Sequence, residues 1–236
     1  MDSILNQLVE RLKKSYGESL LSVVLYGSAA GEDHQPKFSD FNILCVLSQV
    51  TRRELAASEE TFVWWREKGN PSPLLLTEAE IEASTDCFPM EFTDIRRSHR
   101  VLFGKDIATP LEVDSRFYRA QVEHELRAKL FRLRQKAAGM ISDPDLLRRL
   151  LADSVSTFCV LFRHALALNG RDVAPVRRQI IQAAKDHFGI DATPFNQLLD
   201  LREERIKPRD AEPVTILSGY LAGIGQVIEA VDRLES

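Results

Sequence analysis

The sequence predicts an α+β protein, with a small mixed α/β domain over residues 1–110 followed by a C-terminal helical bundle of about five helices over residues 111–236. Three observations predict it. Short apolar runs rich in β-branched residues alternate with helical segments in the first half. From Val122 onward apolar residues recur only at helical spacing. The change falls at Ile107–Asp114, which contains Pro110 and reads as a linker.

Taken in order, Ile4, Leu5, Leu8, Val9 and Leu12 share one helical face, and Gly17 ends that helix. Leu20–Tyr26 is an apolar run between Gly17 and Gly27, as expected of a buried strand, and Phe41–Leu47 is a second. The polar segment between them, residues 27–39, belongs at the surface near the strand ends, because its backbone groups would lack partners in a core. Thr51 with Glu54 forms a capping box that opens a helix through Leu55, Phe62, Val63 and Trp65, closed by Gly69-Asn70-Pro71. Leu74–Leu76 reads as a third strand, Thr77 with Glu80 as another capping box, and Val101–Phe103 as a last strand. The segment from Pro89 to Arg97 fits either helix or strand.

In the second half, Val122, Leu126, Leu130, Leu133 and Ala137 mark a helix that ends near Gly139. Asp143-Pro144 opens another that runs to Asn169-Gly170, Pro175 and Thr193-Pro194 open two more, and Val214–Leu234 is the last.

Hydrophobic residues make up 44% of the chain and charged residues 28%, which is ordinary globular composition. The charged start and the lack of any run of about 20 apolar residues point to a protein without signal peptide or membrane span. Cys45, Cys87 and Cys159 lie far apart, are odd in number and show no metal spacing, so a reducing, cytoplasmic setting is expected. A net charge of -4 disfavours a polynucleotide partner. Trp64 and Trp65 cannot both face one core from adjacent helical positions, which predicts one packed inward and one at a domain or subunit interface, as in a homodimer.

The chemistry concentrates between residues 25 and 47. A strand that runs into Gly27-Ser28 offers backbone amides and a hydroxyl to an anion. In a second strand, Asp40 and Asn42 fall on one face because strand side chains repeat every two residues, and two oxygen ligands suit a hard cation such as magnesium. Gly27-Ser28, an eleven-residue spacer and Asp40-Phe41-Asn42 together resemble the nucleotidyltransferase superfamily. The small α/β domain followed by helices resembles its two-domain kanamycin-nucleotidyltransferase type, with Asn42 where the family has a second carboxylate.

The resemblance implies a nucleotide partner, a nucleoside triphosphate such as ATP, held by Gly27 and Ser28. It also implies Mg2+ held by Asp40 and Asn42, and transfer of a nucleoside monophosphate to a hydroxyl of a small molecule or protein. A third carboxylate is expected, and Leu74–Leu76 supplies none, which leaves Glu91 or Asp94. A base from the bundle would be Glu123 or Glu125. The amide at position 42 brings no negative charge, so a catalytically inactive relative that binds nucleotide or a partner is an alternative, as is a helical interaction module on an inactive scaffold. Two further features stand apart from the motif. Arg119 and His124 have the spacing of a helical ribonuclease motif, and Arg127, Lys129, Arg132, Arg134 and Lys136 form a basic run on the same helix. His34 and Lys37 lie in the segment after the Gly-Ser pair.

Overall fold

The architecture is that of a computed structural model, which describes residues 2–30 and 41–234. Two compact units divide the chain, Met1–Arg116 and Phe117–Ser236.

The first unit is built on a four-stranded mixed sheet: β1 (Leu20–Tyr26), β2 (Asn42–Leu47), β3 (Leu74–Thr77) and β4 (His99–Gly104), in the order β3-β2-β1-β4. β1 pairs antiparallel with both β2 and β4, whereas β2 and β3 run parallel. Alternation assigns the two faces. Leu20, Val23, Leu25, Ile43, Cys45 and Leu47 meet the apolar stripe of α1 (Asp2–Tyr16) and the fully buried Trp65. Val24, Leu44 and Val46 face the other way, onto Ile81, Phe92, Ile95 and Leu111. Because each central strand is covered on both sides, it reads in sequence as an unbroken apolar run.

The helix predicted from Thr51 to Gly69 is two helices, α2 (Arg52–Ala57) and α3 (Glu59–Glu67). The break is at Ser58, which is buried and whose hydroxyl donates to the carbonyls of Glu54 and Leu55, a local bond that competes with helix continuation. The capping box at Thr51 is present, as is the one at Thr77 that opens α4 (Glu78–Ala83). The ambiguous segment is a helix, α5 (Pro89–Arg97), with Pro at its first turn and Met90, Phe92 and Ile95 buried. Of the two tryptophans Trp65 is the one packed inward, and Trp64 is half-buried, with the Arg11 guanidinium 4.4 Å from its ring centroid.

The second unit consists, among the described residues, of α6 (Tyr118–Ala138), α7 (Pro144–Leu168), α8 (Arg177–Phe188), α9 (Thr193–Arg202) and α10 (Pro213–Asp232). An aromatic cluster of Phe158, Phe162, Phe195 and Tyr220 forms its centre. α7 and α10 are long and apolar enough by composition to cross a membrane, and many of their apolar side chains lie in the interior of this bundle.

Candidate functional site

β1 ends with Tyr26 in extended conformation, and Gly27 then adopts φ +78°, a left-handed geometry that favours glycine. A short 3-10 turn over Gly27–Ala29 follows, with the Ala30 N–H donating to the Gly27 carbonyl at 3.0 Å. Ser98, the C-cap of α5, clasps the same residue from the other side. The Gly27 N–H donates to the Ser98 carbonyl at 3.1 Å, and the Ser98 hydroxyl donates to the Gly27 carbonyl at 3.2 Å. The amide of Gly27 is therefore committed to the protein, and its role in the turn is conformational. Of the turn's amides, those of Gly27 and Ala30 are thus engaged within the protein.

Antiparallel pairing of β1 and β2 sets the end of one strand beside the start of the other, with Tyr26 opposite Asn42. The approach is close: a Cβ on Gly27 would lie 3.3 Å from Asn42 Nδ2. Alternation from Leu44 and Val46 puts Asn42 on the α4–α5 face of the sheet, where Tyr26 also packs. Tyr26 is half-buried, and that burial raises its pKa above the ordinary phenol value. The negative charge of Glu91 raises it further, which puts this α5 carboxylate in the electrostatic neighbourhood of Tyr26. The fold thus sets Gly27, Tyr26 and Asn42 together at one end of the sheet, with the charge of Glu91 acting on Tyr26.

Asp94 lies one helical turn beyond Glu91, and its backbone carbonyl accepts the Ser98 N–H at 3.0 Å. Asp40, His34 and Lys37 lie outside the described residues, and Ser28 is described for its backbone. Among the described residues no three His, Cys, Asp or Glu side chains form a metal-sized group. Tyr26 and Ser98 were not singled out from the sequence. The alternation of Tyr26 with Val24 could have placed it on this face, whereas a serine ending a helix carries no pattern.

In the second unit, the carboxylates considered as bases are tied into ion pairs along α6. Glu123 accepts from Arg127 at 2.7 Å and Arg119 at 2.8 Å, and these bonds, that of Arg127 foremost, hold its pKa below the usual carboxylate value. Glu125 pairs with Lys129 at 3.2 Å. Arg119 and His124, five positions apart, point to different faces of α6, and the His124 side chain is 76% exposed. The two do not form one site.

The structure is similar to that of a spectinomycin adenyltransferase from Enterococcus faecialis, solved with ATP and spectinomycin. The match covers 98% of this chain and 99% of that one, with a TM-score of 0.59 and 10% sequence identity. The chain has a nucleotidyltransferase-like fold. No protein-family model matches the sequence, and no curated protein does. At this identity the likeness carries the architecture alone, and the chemistry rests on the residues at the Gly27 end of the sheet.

Proposed function

We propose that this chain binds a nucleoside triphosphate such as ATP, with magnesium, at the Gly27–Asn42 end of its first-unit sheet. It then transfers the nucleoside monophosphate to a hydroxyl, of a small molecule before a protein. The carrying observation is the close approach of Gly27 to Asn42, 3.3 Å from a would-be Cβ to the amide nitrogen, which joins the two halves of the motif. The small-molecule preference draws on the spectinomycin adenyltransferase whose architecture the chain shares.

The donor set suits magnesium by type: Asp40 and Asn42 offer a carboxylate and an amide oxygen, both hard ligands. When bound, magnesium neutralises phosphate charge and favours attack at the α-phosphorus. The chain's own residues do the rest. The turn after Gly27 supplies backbone amides to the phosphates. In the transfer, the acceptor oxygen bonds to the α-phosphorus, the bond from that phosphorus to the α–β bridging oxygen breaks, and pyrophosphate leaves. Glu91 takes the hydroxyl proton, in preference to Asp94, because its charge is the one felt at Tyr26 beside Asn42.

Asn42 favours a second reading, a catalytically silent relative that binds nucleotide or a partner, because an amide at this position removes one negative charge that would hold cations. Pyrophosphate release in the presence of ATP, magnesium and hydroxyl acceptors separates the two. Turnover by the native chain, increased by Asn42→Asp, supports transfer. Binding of magnesium-ATP without pyrophosphate release from either form supports the silent relative. No binding of any nucleoside triphosphate contradicts both, and leaves the helical unit as an interaction module.

A further inference from the structure

We propose that copies of this chain associate head to tail, the basic outer face of α6 in one copy seating on an acidic, apolar-floored groove in the first unit of another. The two surfaces lie on different units and carry opposite charge around an apolar centre.

The donor surface is the second half of α6. Leu130, Leu133 and Ala137 are buried, so the opposite face turns outward. It carries Phe131, 58% exposed, with Arg132, Arg134 and Lys136 exposed around it. On a helical wheel Phe131 and Ala138 form a narrow apolar ridge, with Arg134 on one side and Arg132 and Lys136 on the other. Upstream on α6, Arg119 and Arg127 share Glu123 and Lys129 pairs with Glu125, whereas residues 130–138 contain three cations and no acid. Arg134 and Lys136 make no ion pair with another described residue. A large exposed aromatic ringed by uncompensated charge of one sign is a recurring feature of binding surfaces.

The acceptor surface is a groove of about 410 Å³ between α4 and the segment after β4. Its floor is apolar, with Ile81 and Leu111 buried and Pro110 beside them. Glu78, Glu82 and Glu112 stand on its rim. Lys105 neutralises Glu78 at 2.6 Å and Asp106 is bonded to Thr109 and His99, which leaves Glu82 and Glu112, both exposed, as the carboxylates facing a visitor. The groove adjoins the end of β4, and its lining residue Asp106 bonds the ring of His99, the β4 partner of Tyr26.

The division of charge follows the same sense. The first unit has 13 Lys and Arg against 19 Asp and Glu, a balance of -6, and the second has 18 against 16, a balance of +2. Opposite net charges steer the second unit of one copy toward the first unit of another. A polynucleotide matches the α6 face alone and is repelled by the rest of a chain of net charge -4, so a second copy is the favoured occupant. A contact built from one helix face and one groove is small, which puts association near the micromolar range.

Sedimentation velocity of the full chain, over about 1 to 100 μM at low and high salt, tests this. The expected result is a mass above the monomer that rises with concentration and falls with salt. Phe131→Glu with Arg134→Glu, and separately Glu82→Lys with Glu112→Lys, should each weaken association by about tenfold or more. All four positions are exposed, and circular dichroism checks that the variants fold. Mixing the two double variants pairs an intact α6 face with an intact groove and should restore a complex of the two. A wild-type chain that stays monomeric overturns the proposal, as does association unchanged in both variants or a mixture that fails to pair. Binding of a single-stranded oligonucleotide through α6 by a monomeric chain also overturns it, and assigns the face to nucleic acid.

Discussion

Replacing Gly27 with alanine tests how closely the turn and β2 are coupled. At φ +78° an L side chain costs about 1–2 kcal/mol. The added Cβ also meets Asn42 Nδ2 at 3.3 Å, tighter than ordinary contact, and the Tyr26–Asn42 register leaves the strand backbone little freedom to yield. Asn42 must therefore give by rotating its amide, at a further cost of roughly 0.5–1.5 kcal/mol for an off-rotamer side chain. Gly69→Ala is the control, since its φ is +85° yet nothing lies within 4 Å of its would-be Cβ. Both tryptophans, Trp64 and Trp65, lie in the first unit, so their fluorescence during urea unfolding follows that unit. Gly69→Ala should lose about 1–2 kcal/mol and bind magnesium-ATP as the native chain does. Gly27→Ala should lose about 1.5–3.5 kcal/mol and bind about tenfold or more weakly by calorimetry. Unchanged nucleotide affinity in Gly27→Ala, or an equal loss in Gly69→Ala, refutes the coupling.

Glu91→Gln removes the charge felt by Tyr26, so the tyrosine pKa should fall while staying above the ordinary value, because burial remains the larger cause. Tyrosinate absorbance, with Tyr26→Phe to assign the signal, checks it, and pyrophosphate release should fall by about a hundredfold or more if Glu91 is the base. Gly104→Ala should destabilise the first unit by at least about 2 kcal/mol, since its φ is +77° and a Cβ would run into the Leu21 carbonyl across the sheet; the urea midpoint followed by tryptophan fluorescence measures this. Asp106 gives a pH signature. The Thr109 hydroxyl first, then the amides of Thr109 and Ala108 and the His99 ring, bond to its carboxylate and hold its pKa well below the usual value. A carboxylate with a folded pKa below its unfolded one adds stability above the unfolded value, and that stability is lost as pH falls through the folded value. Asp106→Asn should therefore be less stable than the native chain near neutrality, with the gap narrowing in acid, as thermal unfolding between about pH 7 and pH 3 will record.

Much of the fold was legible because the two central strands are buried on both faces and leave unbroken apolar runs, while the helices of the second unit, α7 apart, keep one apolar stripe. The nine residues from Pro89 to Arg97 were not, since Met90, Phe92 and Ile95 satisfy neither period cleanly and burial by the sheet decides for helix. Nor was the break at Ser58, which depends on hydroxyl bonds to two carbonyls one turn back.

Of the site, Gly27-Ser28 and Asn42 were readable as types at a spacing. Their contact was not, because it follows from antiparallel pairing, and pairing direction is set by the whole sheet and not by either strand. Glu91 and Asp94 were equivalent in sequence. Only the position of α5 against β1 distinguishes them, through the charge of Glu91 at Tyr26. Glu123 and Glu125 looked available because ion pairs between helical neighbours are too common in sequence to announce which carboxylates they occupy.

The central claim is that a metal-dependent nucleotide site is built on the turn after β1 and the start of β2. Calorimetric titration of the native chain and of Asp40→Ala with ATP, each with and without magnesium, tests it most directly. Binding that requires magnesium and is lost in Asp40→Ala is the predicted result. Equal magnesium-dependent binding in both chains would contradict it.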